Sequence, residues 1–232
     1  KNETFIMDGN ERITLDTKRV PVVTLTYQKG LKGVLNGDFD YHKFTAKVFQ
    51  TFRLGTLGRS SYLLQAGYTP SNLPAPLLYP HLGNQTLFFN RAAFNTMHYF
   101  EFVSDKFVSM QYNHNFEGLL FNRIPAIRQL KWRLLATANI LFGSQKQGNQ
   151  QLMDDAMPIF NPRHPSNVLE SKFNFSGLDP NIPFVEVGYG IDNIFKIFRL
   201  QAFHRLTYLD HLSPSGKLPD KFTIKGSVHF SF

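Results

Sequence analysis

The sequence predicts an all-β protein, an antiparallel transmembrane β-barrel of about eight strands, and three observations carry that prediction. The first is residues 221–232, KFTIKGSVHFSF. Phe222, Ile224, Gly226, Val228, Phe230 and Phe232 share one face of a strand, and Thr223, Lys225, Ser227, His229 and Ser231 share the other. The period of two runs without a slip, over the roughly 9 to 11 residues that a tilted strand needs to cross a bilayer. The second is composition. Among 232 residues, aromatics reach 15%, with 24 Phe, and charged residues stop at 18%, below the usual ~25%. No apolar run approaches the roughly 18 residues of a membrane helix. A barrel reconciles these features by interleaving lipid-facing and polar residues, which also keeps the mean hydropathy at -0.23. The third is that long and short connections alternate between the strands.

Residues 1–19 are polar, show no sustained period, and read as a loop or the end of a preceding element; residues 20–232 read as the barrel portion. Residues 21–29 alternate Val23, Leu25 and Tyr27 against Val22, Thr24, Thr26 and Gln28. After KGLKGVLNGDFD, residues 41–54 set Phe44, Ala46, Val48, Phe52 and Leu54 opposite Lys43, Thr45, Lys47, Thr51 and Arg53. A GTLG turn leads into 59–68, where Tyr62, Leu64, Ala66 and Tyr68 alternate with Ser61, Leu63, Gln65 and Gly67, so these two strands form a hairpin.

Residues 69–106 open with a Pro-rich stretch that a central strand excludes. They read as one long outer loop with room to fold back inward. Strands resume at 107–116, 131–142, 184–192 and 198–208, ahead of the closing strand. Between the second and third of these, residues 143–183 are rich in Gln, Asn, Pro and Ser and read as a second long, solvated loop. Short turns on one side and long loops on the other are the pattern of outer-membrane barrels, and a soluble sandwich has no reason to sort loops this way. No charge falls on the predicted lipid faces, where a Lys or Arg near the midplane would cost about 2 to 4 kcal/mol. The predicted lumen-facing residues are Lys43, Lys47, Arg53, Lys131, Arg133, Glu186, Arg199, Arg205 and Lys225, all but one of them cationic. Such a wall attracts anions or an acidic plug; alternatively, its cations are solvated or paired with acids elsewhere.

The net charge of +8 does not indicate nucleic acid, because Lys and Arg are spread along the chain rather than gathered in a patch. The absence of Cys removes disulfides and thiolate chemistry. The His residues are scattered without ligand spacing, so no metal and no cofactor is expected. The best catalytic candidate is Asp210 with His211 at a loop rim, reminiscent of outer-membrane proteases, although neighbours at a strand end usually point apart. Lys1 is not an initiator and no signal peptide follows it, so an exported protein of this sequence is expected to be a mature chain or a fragment.

The ending of the chain resembles the closing strand of bacterial outer-membrane β-barrels. That resemblance implies that Val228, Phe230 and Phe232 form a signal for the barrel-assembly machinery. The stretches FEFVSDK, FNRIP and GYGIDNIF, with KFTIKGSVHFSF, resemble the C-terminal part of a large outer-membrane family of undescribed function whose members carry a carboxypeptidase-regulatory-like domain near the N-terminus. A more distant similarity, through HLGNQTLFFNR and VEVGYGIDNIF, is to BamA and TamA-type barrels. It implies a loop plug at Phe88, Phe89, Asn90 and Arg91, and a sixteen-stranded barrel of which eight strands are half. This chain departs from that superfamily's Val-Arg-Gly-Phe-like tip, having Leu87-Phe88-Phe89-Asn90 there and no Arg-Gly pair. By analogy, Arg91 is expected to pair with Glu186.

Together these readings imply a protein of the Gram-negative outer membrane. It is expected to contact outer-membrane lipids, other outer-membrane proteins or lipoproteins, and to serve membrane passage, protein insertion or translocation, or surface assembly. The alternative is a compact eight-stranded anchor or rim hydrolase. A soluble ligand-binding barrel is disfavoured because it would place the polar faces outside and the aromatic faces in a cavity.

Overall fold

The computed structural model describes residues 3–8, 11–17, 20–34, 37–156, 176–212 and 217–228. The expected assembly signal therefore retains only Val228; Phe230 and Phe232 lie outside the described residues. The chain opens with a hairpin of β1 (Glu3–Asp8) and β2 (Glu11–Thr17), with Ile6 opposite Ile13 and Asp8 opposite Glu11. This corrects the reading of 1–19 as a loop. The polar residues of this segment hide the alternation of its two strands in the sequence.

The main sheet contains β3 (Val22–Gly30), β4 (Tyr41–Arg53) and β5 (Arg59–Tyr68). Two short strands, β6 (Tyr79–Pro80) and β7 (Val103–Ser104), pair with each other in the following loop. The sheet resumes with β8 (Lys106–Asn115), β9 (Arg133–Ser144), β10 (Phe184–Ile194), β11 (Phe198–Arg205) and β12 (Phe222–Val228). Its order, β12-β11-β10-β9-β8-β5-β4-β3, is an antiparallel meander in which each strand pairs with its predecessor in the sheet. Each of the eight corresponds to a strand that alternation places in the sequence. Among the described residues β3 and β12 do not pair with one another, so the sheet is open and these strands do not close into a barrel by themselves.

The register separates the two sets of side chains. Val23, Val48, Leu64, Met110, Ile140 and Val185 stand in one row across six strands. A second row on the same face runs Tyr62, Tyr112, Ala138, Val187, His204 and Phe222. The opposite face carries rows such as Gln111, Asn139, Glu186 and Arg205. Two cations do fall on the apolar face, Lys29 opposite His42 and Lys106 opposite Tyr68. Both sit at the strand ends next to the long loops. The three histidines of this face are each hydrogen-bonded: His42 to Tyr27 at 2.7 Å, His114 to Ser60 at 2.7 Å and His204 to Tyr189 at 3.4 Å.

Connections are less strictly sorted than expected. The turns at 54–58 and 195–197 are tight, and Gly58, at φ +115°, lies so close to the Asn115 carbonyl that no side chain fits there. At the same end, however, the β8–β9 link contains a 3-10 turn at Phe121–Arg123 and a helical turn, α1 (Pro125–Arg128). The expected solvated loop after β9 begins with a helix, α2 (Gln147–Ala156). Its Asn149 is fully buried and tied to Leu73 N and Asp105. That contact, and not the helix's own Gln-rich sequence, marks it as structured.

The buried core is not between two sheets. It lies between the polar face of the sheet and residues 69–105, which fold against that face. Phe94, Met97 and Phe102 from the loop pack with Phe107, Leu141 and Phe184 from the strands and with Leu178. A second cluster joins Leu73, Leu78 and Val103.

Candidate functional site

Charged strand residues hold the folded-in loop. Glu186, on β10, is fully buried. Its Oε1 accepts hydrogen bonds from Asn95 N at 2.8 Å and Asn139 Nδ2 at 2.7 Å. Its Oε2 accepts from Thr96 N at 2.8 Å and Thr96 Oγ1 at 2.7 Å. All four partners are donors, which is the arrangement that compensates a carboxylate for leaving water. The expected Arg91 pairing is thereby corrected: main-chain N–H groups meet Glu186, while Arg91 lies near Arg199.

Arg205, on β11, forms a fork with Glu101 of the loop, Nη2–Oε1 2.6 Å and Nη1–Oε2 3.1 Å, with both side chains fully buried. The remaining donors go to the carbonyls of Thr207 at 3.0 Å and Tyr208 at 2.8 Å. The guanidinium also stands 4.9 Å from the Phe184 ring centroid, so it is satisfied on its edges and its face. Lys43 donates to the carbonyls of Leu77 and Leu78 at 3.1 and 2.9 Å. Lys225 donates to those of Asn84 and Thr86 at 2.9 and 2.6 Å.

Among the described residues, the other predicted wall residues form no hydrogen bond with the loop, although Arg199 stands 6.0 Å from the Phe89 ring centroid. Arg199 pairs with Asp192 at 2.9 Å. Arg53, largely exposed, pairs with Glu117 at 2.7 Å, a contact worth little in water. Lys47 and Arg133 are exposed, and Lys131 lies in the turn before β9 at φ +54°.

The four residues expected as a plug tip divide their roles. Phe89 stacks on Phe203 with ring centroids 5.8 Å apart. Phe88 is exposed and bridges Gly226 in parallel, with Gly226 N donating to Leu87 O and Phe89 N donating to Gly226 O, both at 2.8 Å. The loop thus covers part of the free edge of β12. Asn90 Oδ1 accepts from Ala92 N at 3.0 Å, and Arg91 lines a cavity with Arg199. Within the loop, Gly83 packs against the His98 and Met97 carbonyls, where a Cβ would collide with main chain. Buried His81 bonds Ser104 Oγ at 2.8 Å, and burial pushes its pKa down to about 3.

The structure does not bring the Asp210 and His211 side chains together. Asp210 points to solvent, 3.6 Å from Lys221. His211 stacks on Phe102 with centroids 4.9 Å apart, and burial first, then Arg205, lowers its pKa despite Glu101. Among the described residues no group of His, Asp and Glu could hold a metal ion.

The fold and this anchoring define an all-β protein in which an eight-stranded antiparallel meander carries an infolded loop on its polar face. Residues 2–150 match a family described as "Family of unknown function (DUF5686) C-terminal domain", and the chain belongs to that family. The matched residues include β3 to β9 and the loop, whereas Glu186, Arg205 and Lys225 lie beyond them. Comparisons with curated proteins and with solved structures give no match.

Proposed function

We propose that this chain is a wall portion of an outer-membrane β-barrel, with its apolar face toward lipid and residues 69–105 held as a plug on the lumen side. The reading assigns the protein to passage, insertion or assembly at the membrane. The observation that carries it is the exposed apolar face. Leu25 is 77% exposed, Tyr189 55%, Leu200 51% and Val108 48%, and these are outward strand residues, not loop tips. So large a continuous apolar surface needs a cover. The strand positions near its middle carry no Lys or Arg, and Lys29 and Lys106 sit at the ends, where long side chains reach the interface.

The edge of β3, and the part of the β12 edge that the loop leaves uncovered, favour a wider barrel completed by further strands over a compact eight-stranded anchor. A sheet edge in lipid leaves main-chain groups unsatisfied. Protein translocation of the BamA type is the most concrete version, supported by the infolded loop.

The test is extraction of the native protein from membranes. Retention after alkaline washing and dependence on detergent are expected, with gel mobility that changes on boiling. A species much larger than 26.7 kDa before and after boiling supports the wider barrel. A protein that is monomeric and soluble in buffer without detergent overturns the proposal.

A further inference from the structure

At the short-turn end of the polar face the strands leave a cavity of about 340 Å3. Arg59, Arg133 and Arg199 line it from three strands, and Arg91 lines it from the loop. Asp192 is the single carboxylate in the lining, and it is already engaged by Arg199 at 3.2 and 2.9 Å and by Asn115 Nδ2 at 3.3 Å. Arg59, Arg91 and Arg133 form no ion pair among the described residues. Three solvent-facing guanidinium groups without an ion pair therefore line one volume.

A second feature points to the same volume. Gln201, 2% exposed, also lines it. Its Nε2 donates to Thr137 Oγ1 at 3.2 Å, while its buried Oε1 has no donor among the described residues. A buried acceptor left without a donor is costly, and native structures seldom leave one so.

We infer that this cavity binds a water-borne phosphate monoester that carries hydroxyl groups, of about the size of a hexose phosphate. Planar guanidinium forks match phosphate oxygens two at a time, and a dianion neutralises most of the excess charge. The rest of the cavity, within the range of small-ligand pockets, holds a polyol whose hydroxyl donates to Gln201 Oε1. Arg91 belongs to the loop. Partial burial, and then the charge of Arg199, lower its pKa from the ordinary value. An anion between them removes that repulsion, so the ligand also secures the loop. The charged and amide side chains of the lining stand on the polar face or on the loop, so the ligand arrives through water, and the inference stands apart from the membrane reading.

The test is calorimetric titration of the folded native protein with glucose 6-phosphate, glucose and potassium chloride at matched ionic strength. Glucose 6-phosphate is expected to give saturable binding that glucose and chloride do not. Arg133→Gln and Arg91→Gln are each expected to weaken it about tenfold or more, as loss of a charge-assisted contact does. Lys47→Gln, on the same face but outside the cavity lining, should leave it within about twofold. Arg91 is on the loop, so its variant reports even if the strand substitution impairs folding. No saturable binding overturns the inference, as does equal binding of glucose or chloride. Weakening by Lys47→Gln as large as that by Arg91→Gln overturns it too, because binding would then be nonspecific.

Discussion

Replacing Glu186 by Gln keeps the shape of the side chain and removes its capacity to accept from four donors. The new amide nitrogen must face one of two pairs, Asn95 N with Asn139 Nδ2, or Thr96 N with Thr96 Oγ1. Asn139 can flip, because its Oδ1 is buried without a partner, and the Thr96 hydroxyl can rotate to accept. In either orientation one main-chain N–H loses its acceptor, which costs about 1 to 3 kcal/mol. The two contacts kept by the remaining oxygen fall from charge-assisted to neutral, about 1 kcal/mol each. The loop is therefore weakened by about 3 to 5 kcal/mol. Amide hydrogen exchange at Asn95 and Thr96 should accelerate by about two to four orders of magnitude if local opening governs exchange. Arg91 is the only Lys or Arg between residues 69 and 105, so trypsin cleavage there reports the same opening. Unchanged exchange at both amides, with Arg91 as resistant as before, would refute the anchoring role of Glu186.

Glu101→Gln leaves Arg205 buried with half its fork, and a loss of about 3 to 5 kcal/mol is expected in thermal or denaturant unfolding; Glu101→Leu combined with Arg205→Met should recover much of it in a double-mutant cycle. His81 has a folded pKa of about 3 against an ordinary 6.5, so it binds fewer protons folded than unfolded. Its contribution is intact above pH 6.5 and is lost at about 1.4 kcal/mol per unit as pH falls from 6.5 toward 3; His81→Asn should flatten that slope in exchange measurements. Leu64→Arg, on the apolar face, should cost about 2 to 4 kcal/mol in bilayers, while Gln65→Arg on the other face should cost little, as read by refolding into vesicles. Gly83→Ala should disrupt the loop without disturbing the sheet, seen as Arg91 cleavage with strand amides still protected.

The strands were legible because a half-exposed strand writes its period into the sequence. In β4, Phe44, Ala46 and Val48 alternate with Thr45 and Lys47, and the register confirms that alternation across its neighbours. The anchoring of the loop was less legible. The analogy with BamA-type barrels points to Arg91 for Glu186, but the carboxylate is met by the amides of Asn95 and Thr96, which every sequence possesses. Glu101 and Arg205, 104 positions apart, form the fork, and nothing local to either residue names the other. α2 was hidden because its buried contact is a polar one, Asn149 to Leu73 and Asp105, in a segment whose composition reads as solvated. The hairpin β1–β2 lacked a continuous apolar face. Asp210 and His211 point apart, Asp210 toward Lys221 and His211 onto Phe102, as neighbours at a strand end usually do.

The two-sidedness of the sheet in a bilayer is the claim on which the proposed function depends. The chain has no Cys, so a single introduced cysteine carries a unique spin label, and β4 can be scanned from residue 44 to residue 52 in vesicles. Labels at 44, 46, 48 and 52 should be accessible to lipid-dissolved oxygen and shielded from a water-soluble nickel chelate, and labels at 45, 47 and 51 should behave in the opposite way. Uniform access to the chelate, or no two-residue alternation, would contradict the account.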